Sequence, residues 1–183
     1  MGSKSKFYQT QTNPIWAYGN GTLEVERFLM KLSGFSFPTS QANLLRNPGF
    51  ELGNTGDWWL VNSSIVTSQY RTGTKALKLN STVDQNATIT LTGLLPNKTY
   101  TYFAWVKTSA LNRYVCIGAY GFTNDFALDM LSHNCAYNPS SYTLISTRFT
   151  TDANHTTAIM YADFWGNTAG TAYVDDAVVF AAP

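Results

Sequence analysis

From Asn43 onward the chain is written in short runs where apolar and polar side chains alternate, broken by turn residues. Thr88-Ile89-Thr90-Leu91-Thr92 alternates cleanly, as does Lys75-Ala76-Leu77-Lys78-Leu79. Gly93-Leu94-Leu95-Pro96-Asn97-Lys98 forms a turn into a strand from Thr99 to Lys107, which puts Tyr100, Tyr102, Ala104 and Val106 on one face. Val115 to Tyr120, Tyr142 to Phe149, Thr156 to Ala162 and Ala172 to Phe180 read as further strands. Nearly all connections have hairpin length. The exception is Gly121 to Ser141, a connection of about twenty residues, a length expected to be functional or to carry its own structure. The pattern predicts an all-β fold, two antiparallel sheets packed as a β-sandwich jelly roll.

The first 42 residues read differently. Val25, Phe28, Leu29 and Leu32 fall at i, i+3, i+4 and i+7, with Thr22 placed to cap the start and Gly34 just past the end. Leu23, Val25 and Leu29 also fit alternation, but the spacing favours one short amphipathic helix. Residues 33–41 then form a connector rich in Ser, Pro and Gly. The expected organisation is an N-terminal arm over 1–42 and a jelly roll over 43–183. A helix of about eleven residues falls below the ~12–15 needed alone in water, so its stripe must dock on something. A second copy, a shell protein of an assembly, or a face of the chain's own sandwich would serve. The expected assembly interface is Trp16, Tyr18, Val25, Phe28, Leu29 and Leu32, holding protein partners or a homo-oligomer, with the two aromatics as anchors.

Charged residues make up only 13% of the 183, and 15 Asn, 14 Ser and 24 Thr fill the polar quota. Twelve basic against eleven acidic groups leave a net charge of +1, too little to hold a polyphosphate backbone, so nucleic acid is excluded as the main partner. No window approaches the ~20 apolar residues of a membrane-spanning helix. The basic start Met1 to Lys6 is followed by Phe7-Tyr8-Gln9-Thr10-Gln11-Thr12 where a signal peptide has its apolar run, so export by that route is not expected. Six Asn-x-Ser/Thr sequons read as polar β-surface. Cys116 and Cys135 allow one optional bridge, which their spacing does not decide.

Catalysis is not expected. Glycoside hydrolysis needs two carboxyl groups flanking one bond, and Asp125 and Asp129 have no matching partner by spacing. His133 and His155 lack the spacing of a helical metal pair, and no Gly-x-Ser-x-Gly elbow or phosphate loop is present. Cys116 reads as a small buried hydrophobe rather than a nucleophile.

Asn43-Leu44-Leu45-Arg46-Asn47-Pro48-Gly49-Phe50-Glu51, followed by Trp58-Trp59, resembles the opening signature of jelly-roll carbohydrate-binding modules of the family 4/9/22 type. Gly73-Thr74-Lys75-Ala76-Leu77, the strand Leu95 to Lys107 and the segment Gly170 to Val179 are similar to three later motifs of that family. Together they span residues 43–180. The resemblance implies a structural calcium held by the Glu51 carboxylate, a carbonyl near Lys75, and Asp176, hard oxygen donors that suit the ion. It also implies sugar binding on aromatic faces stacked against pyranose rings, with amide and carboxylate side chains hydrogen-bonding the sugar hydroxyls. The candidates are Trp58, Trp59, Tyr114, Tyr120, Phe122 and Trp165. Trp58 and Trp59 are adjacent, so in a strand one of the two is core.

Two functions fit these features. The arm, the absence of an export signal and the absence of a linker favour a non-catalytic structural or adhesive virion protein. Capsid decoration (a cement protein) or a tail-associated adhesin would place it on the virion exterior, with glycan as a further partner. The alternative is a carbohydrate-binding module associated with a secreted polysaccharide-degrading enzyme, hence extracellular.

Overall fold

The computed structural model describes residues 43–182 apart from 81–85, 110, 122–129 and 167–168. The expected arm, with its helix and the interface residues Trp16, Tyr18, Val25, Phe28, Leu29 and Leu32, lies outside the described residues, as does Phe122. Among the described residues there are ten strands: β1 (Trp59–Val61), β2 (Ser63–Val66), β3 (Ala76–Asn80), β4 (Asn86–Leu91), β5 (Thr99–Thr108), β6 (Tyr114–Tyr120), β7 (Met130–Tyr137), β8 (Thr143–Thr150), β9 (Ala158–Trp165) and β10 (Thr171–Ala181). They form two five-stranded sheets, A in the order β1-β4-β9-β6-β7 and B in the order β2-β3-β10-β5-β8. Every pairing between them is antiparallel. The fold is the expected all-β sandwich. No helix among the described residues is long and apolar enough to cross a membrane.

Alternation builds the core between the sheets. Tyr100, Tyr102, Ala104 and Val106 of β5 point inward, as predicted, and meet Ile89 of β4, Ile117 of β6 and Met160 of β9 in one cluster. The chain enters beside β10. Leu44 N donates to Val179 O at 2.9 Å, Val179 N to Asn43 Oδ1 at 2.9 Å, and Asn43 Nδ2 to Ala177 O at 2.9 Å.

The long connection carries structure of its own. The stretch Gly121 to Ser141 is not all loop, because Met130–Tyr137 forms β7 and pairs along β6. Its inward positions carry polar Ser132 and Asn134, so the pattern that marks a half-buried strand is missing. The position explains this. β7 is the edge of sheet A, where Asn134 Nδ2 donates across to Ser146 O of β8 at 2.8 Å. The bridge left open by the sequence is present: Cys116 and Cys135 are disulfide-bonded and join β6 to this edge strand.

Candidate functional site

The outer face of sheet A collects the exposed aromatics. On β9, Ala158, Met160, Ala162 and Phe164 enter the core, so Ile159, Tyr161, Asp163 and Trp165 point out. The registers then lay out rows across the sheet. One row runs Trp59, Thr88, Tyr161, Gly118, His133, and the next runs Val61, Asn86, Asp163, Cys116, Cys135. A third holds Trp165, Tyr114 and Tyr137. Trp59 is 72% exposed and Trp165 52%. They stand two strands and four residues apart, about 16 Å at ~4.8 Å per strand and ~3.4 Å per residue.

Around them, and on towards β6 and β7, the face is shaped by a small residue, packed rings and hydrogen bonds. Gly118 leaves room for the Tyr161 ring to lie across β6; a Cβ there would stand 2.4 Å from the ring. Tyr120 packs on Tyr161 with ring centroids 5.9 Å apart, and Tyr114 on Tyr137 at 4.8 Å. Burial pushes the Tyr120 hydroxyl up, and burial followed by the Asp163 charge does the same to Tyr161. Both therefore stay neutral hydroxyls at physiological pH. Asp163 Oδ1 accepts the Phe164 N–H at 2.6 Å, while Oδ2 accepts the Trp165 indole N–H and sets that ring's orientation. At the β1–β4 edge a groove of about 450 Å³ is lined by Arg46, Asp57, Trp59, Thr88 and Thr90. Flat rings flanked by hydroxyls, an amide and a carboxylate are the chemistry that stacks on pyranose rings and bonds their hydroxyls.

The structure thus brings Trp59, Tyr114, Tyr120 and Trp165 onto one face. It removes Trp58. That ring is 3% exposed, packs on Phe50 at 5.2 Å and donates its indole N–H to Arg46 O at 3.2 Å. Of this adjacent pair, Trp58 is the core member, so it offers no face to a ligand. Sequence reasoning missed Tyr137 and His133, which sit on the strand within the long connection, and Tyr161, which is on a predicted strand but unmarked by composition.

The acids of the calcium expectation are gathered by one loop. Glu51 Oε1 accepts Thr74 N at 2.8 Å and Lys75 N at 2.9 Å, and Oε2 accepts Thr74 Oγ1 at 2.7 Å. Lys75 Nζ donates to Glu51 O at 2.7 Å. Asp176 Oδ2 accepts Arg71 Nη1 at 2.6 Å, and Oδ1 accepts Thr72 Oγ1 at 2.6 Å. Calcium takes ~6–8 oxygens. Here every carboxylate oxygen of Glu51 and Asp176 faces an N–H or O–H donor, and two cationic side chains stand in the set. As arranged, Arg71 and Thr72 take the Asp176 carboxylate, Thr74 and the Lys75 N–H take that of Glu51, and the Lys75 ammonium takes the Glu51 carbonyl. Asp175 accepts N–H from Arg71, Thr72 and Asp176, yet burial and the Asp176 charge push its carboxyl up to about 8.

Residues 42–170 match a family profile described as a carbohydrate binding domain. The keratan-sulfate endo-1,4-β-galactosidase of Sphingobacterium multivorum is 38% identical over 140 residues, which cover 73% of this chain and 30% of that protein. The chain thus spans less than a third of the curated relative's length. Among solved structures, TmCBM61, determined in complex with β-1,4-galactotriose, has a TM-score of 0.56 at 14% identity, covering 75% of this chain and 97% of its own. A family 16 carbohydrate-binding module has a TM-score of 0.58 at 22% identity over 75% and 99%. Tailspike protein 4 of bacteriophage CBA120 has a TM-score of 0.56 at 12% identity over 76% and 21%. At these identities the structural likenesses show a shared fold.

Proposed function

The chain belongs to the family of carbohydrate-binding domains, and on that footing we propose that it holds a β-linked, galactose-containing glycan on the outer face of sheet A. The family is non-catalytic, so the domain's part is to keep a glycan-degrading catalytic unit on its substrate, in an extracellular setting. The observation that carries this reading is the registered face itself, with Trp59 exposed on the edge strand β1 and Trp165 exposed at the end of the central strand β9. A spacing of about 16 Å suits a chain of several sugars rather than one ring. The choice of galactose is supported by the substrate in the relative's name and the ligand of TmCBM61.

The expectation of a virion accessory protein gives way to its alternative. The curated relative is a glycan-degrading enzyme, and the tailspike shares the fold alone. Isothermal titration with β-1,4-galactotriose, keratan sulfate and cellotriose tests the proposal. A galactoside should bind, cellotriose should bind at least tenfold more weakly, and Trp59→Ala should weaken the galactoside about tenfold. Equal binding of all three glycans would remove the galactose assignment. Binding untouched by both Trp59→Ala and Trp165→Ala would move the site off this face.

A further inference from the structure

The groove beside Trp59 holds a cation and a carboxylate that do not satisfy each other. On β4, Ala87, Ile89 and Leu91 enter the core, so Thr88 and Thr90 face outward, and Thr88 is the register partner of Trp59. These two threonines, the Trp59 ring, Arg46 and Asp57 line one groove. The Arg46 side chain is 82% exposed, and its Nη1 stands 3.8 Å from Asp57 Oδ1, too far for a hydrogen bond. Asp57 Oδ2 accepts the Thr55 hydroxyl, which orients the carboxylate. Oδ1 accepts no hydrogen bond among the described residues.

We infer that Arg46 and Asp57 read the adjacent 3- and 4-hydroxyls of a galactose stacked on Trp59, and so select galactose at the non-reducing end of the glycan. This rests on the galactoside reading above and names the residues that give it specificity. A guanidinium only donates and an ionised carboxylate only accepts, so the pair complements two neighbouring hydroxyls, one accepting and one donating. An anionic substituent on the sugar meets the Asp57 charge as well as Arg46, so a neutral diol suits the pair better. In galactose the 4-hydroxyl is axial and stands off the face opposite the one that stacks on a ring. A stacked galactose therefore offers the groove wall a hydroxyl raised above the sugar plane, beside the 3-hydroxyl. Glucose holds the same hydroxyl in that plane. A 4-linked galactose has no free 4-hydroxyl, which puts this contact at the terminal sugar. β1 is the edge strand of sheet A, so a chain crossing the sheet from Trp165 ends at this groove.

The test titrates the full chain with β-1,4-galactotriose, its analogue lacking the 4-hydroxyl of the non-reducing galactose, and cellotriose, alongside Arg46→Ala, Asp57→Asn and Trp59→Ala. Loss of that hydroxyl should weaken binding to the unaltered protein about tenfold, and should cost nothing further in Arg46→Ala or Asp57→Asn. Both variants should lose about tenfold for galactotriose and keep their affinity for cellotriose. Arg46 is exposed and Asp57→Asn keeps an acceptor for the Thr55 hydroxyl, so both should melt with the unaltered protein. Galactotriose binding that falls with Trp59→Ala but ignores both other variants would overturn this inference and leave the galactoside reading standing. Equal losses for galactotriose and cellotriose would also overturn it, since the pair would not tell the two sugars apart. No binding of galactotriose by the unaltered protein would remove both readings together.

Discussion

Sheets A and B have five strands each and share one core, but their outer faces differ in what the aromatic rings touch. On sheet B the rings are engaged from within the chain. Arg71 lies over Trp105, and Lys107 stands 4.8 Å from the Tyr142 ring and 5.5 Å from the Tyr173 ring. Each ring that stacks a cation or another ring of its own chain has less surface for a sugar. On sheet A, Trp59 and Trp165 are exposed rings, with Asn86, Thr88 and Tyr161 in register between them. The lesson is that aromatic abundance does not locate a binding face. The partners of the rings do.

The largest effect expected falls on sheet B. An Asp in the unfolded chain titrates near ~4, whereas Asp175 in the fold is pushed up to about 8. Over that window the native state holds a proton that the unfolded chain has released. Stability should therefore be greatest at the acid end of that window and fall as pH rises through it, levelling above. Urea melts of the unaltered protein and Asp175→Asn at pH 5, 6, 7 and 8 check this, because the variant should lose the slope. A slope of zero in the unaltered protein would show that the three N–H donors keep Asp175 ionised. Chelator and added calcium sharpen the same point. With Arg71 and Thr72 holding the Asp176 carboxylate, and Thr74 and the Lys75 backbone N–H holding that of Glu51, both should leave the melting midpoint unchanged, and a rise with calcium would show the ion displacing these donors.

Next in size is the disulfide on sheet A. Replacing Cys116 and Cys135 together by Ser opens a link between residues 19 apart in sequence, for which a loss of about 3 kcal/mol is expected. Glycan affinity should fall as well if the proposed site holds, since the edge strand carries Tyr137 and His133 on the same face as Tyr114 and Gly118. A variant that melts lower yet binds unchanged would confine the site to β1, β4 and β9.

The sequence made the sandwich legible wherever one side of a strand meets the core and the other meets water. Thr88 to Thr92 and Thr99 to Lys107 fall where alternation puts them, because burial on one side enforces the period. β7 was illegible for the converse reason, since its inward positions hold polar Ser132 and Asn134, the amide bonded across to Ser146 O and the Ser132 hydroxyl buried without a hydrogen-bond partner among the described residues. The site was partly legible. Trp59, Tyr120 and Trp165 stood out by residue type, but the choice between Trp58 and Trp59 needed the pleat. Tyr161 needed the register that sets it opposite Gly118.

That register supplies a smaller effect. Gly118→Ala places a methyl 2.4 Å from the Tyr161 ring and 2.5 Å from Ser132 O, so the ring must tilt off β6. Overpacking of this kind costs about 1–3 kcal/mol. Melting and galactoside titration on one sample check it, with both stability and affinity expected to drop. If stability falls while affinity holds, Tyr161 supports the face without touching the glycan.

The smallest effect expected separates a long platform from a single subsite. Trp59→Ala and Trp165→Ala remove exposed rings, so each should leave the melting midpoint within about 0.5 kcal/mol of the unaltered protein. Each should cost about tenfold in affinity for a glycan long enough to lie under both. Residues more than ~7–10 Å apart with no shared partner act additively within ~0.3–0.5 kcal/mol, and these two stand about 16 Å apart. The double variant should then bind a long galactan about a hundredfold more weakly. A disaccharide cannot reach both rings, so it should respond to one variant and ignore the other. Equal losses for the disaccharide with either variant would mean that the two tryptophans are coupled through the sheet rather than reading separate sugars.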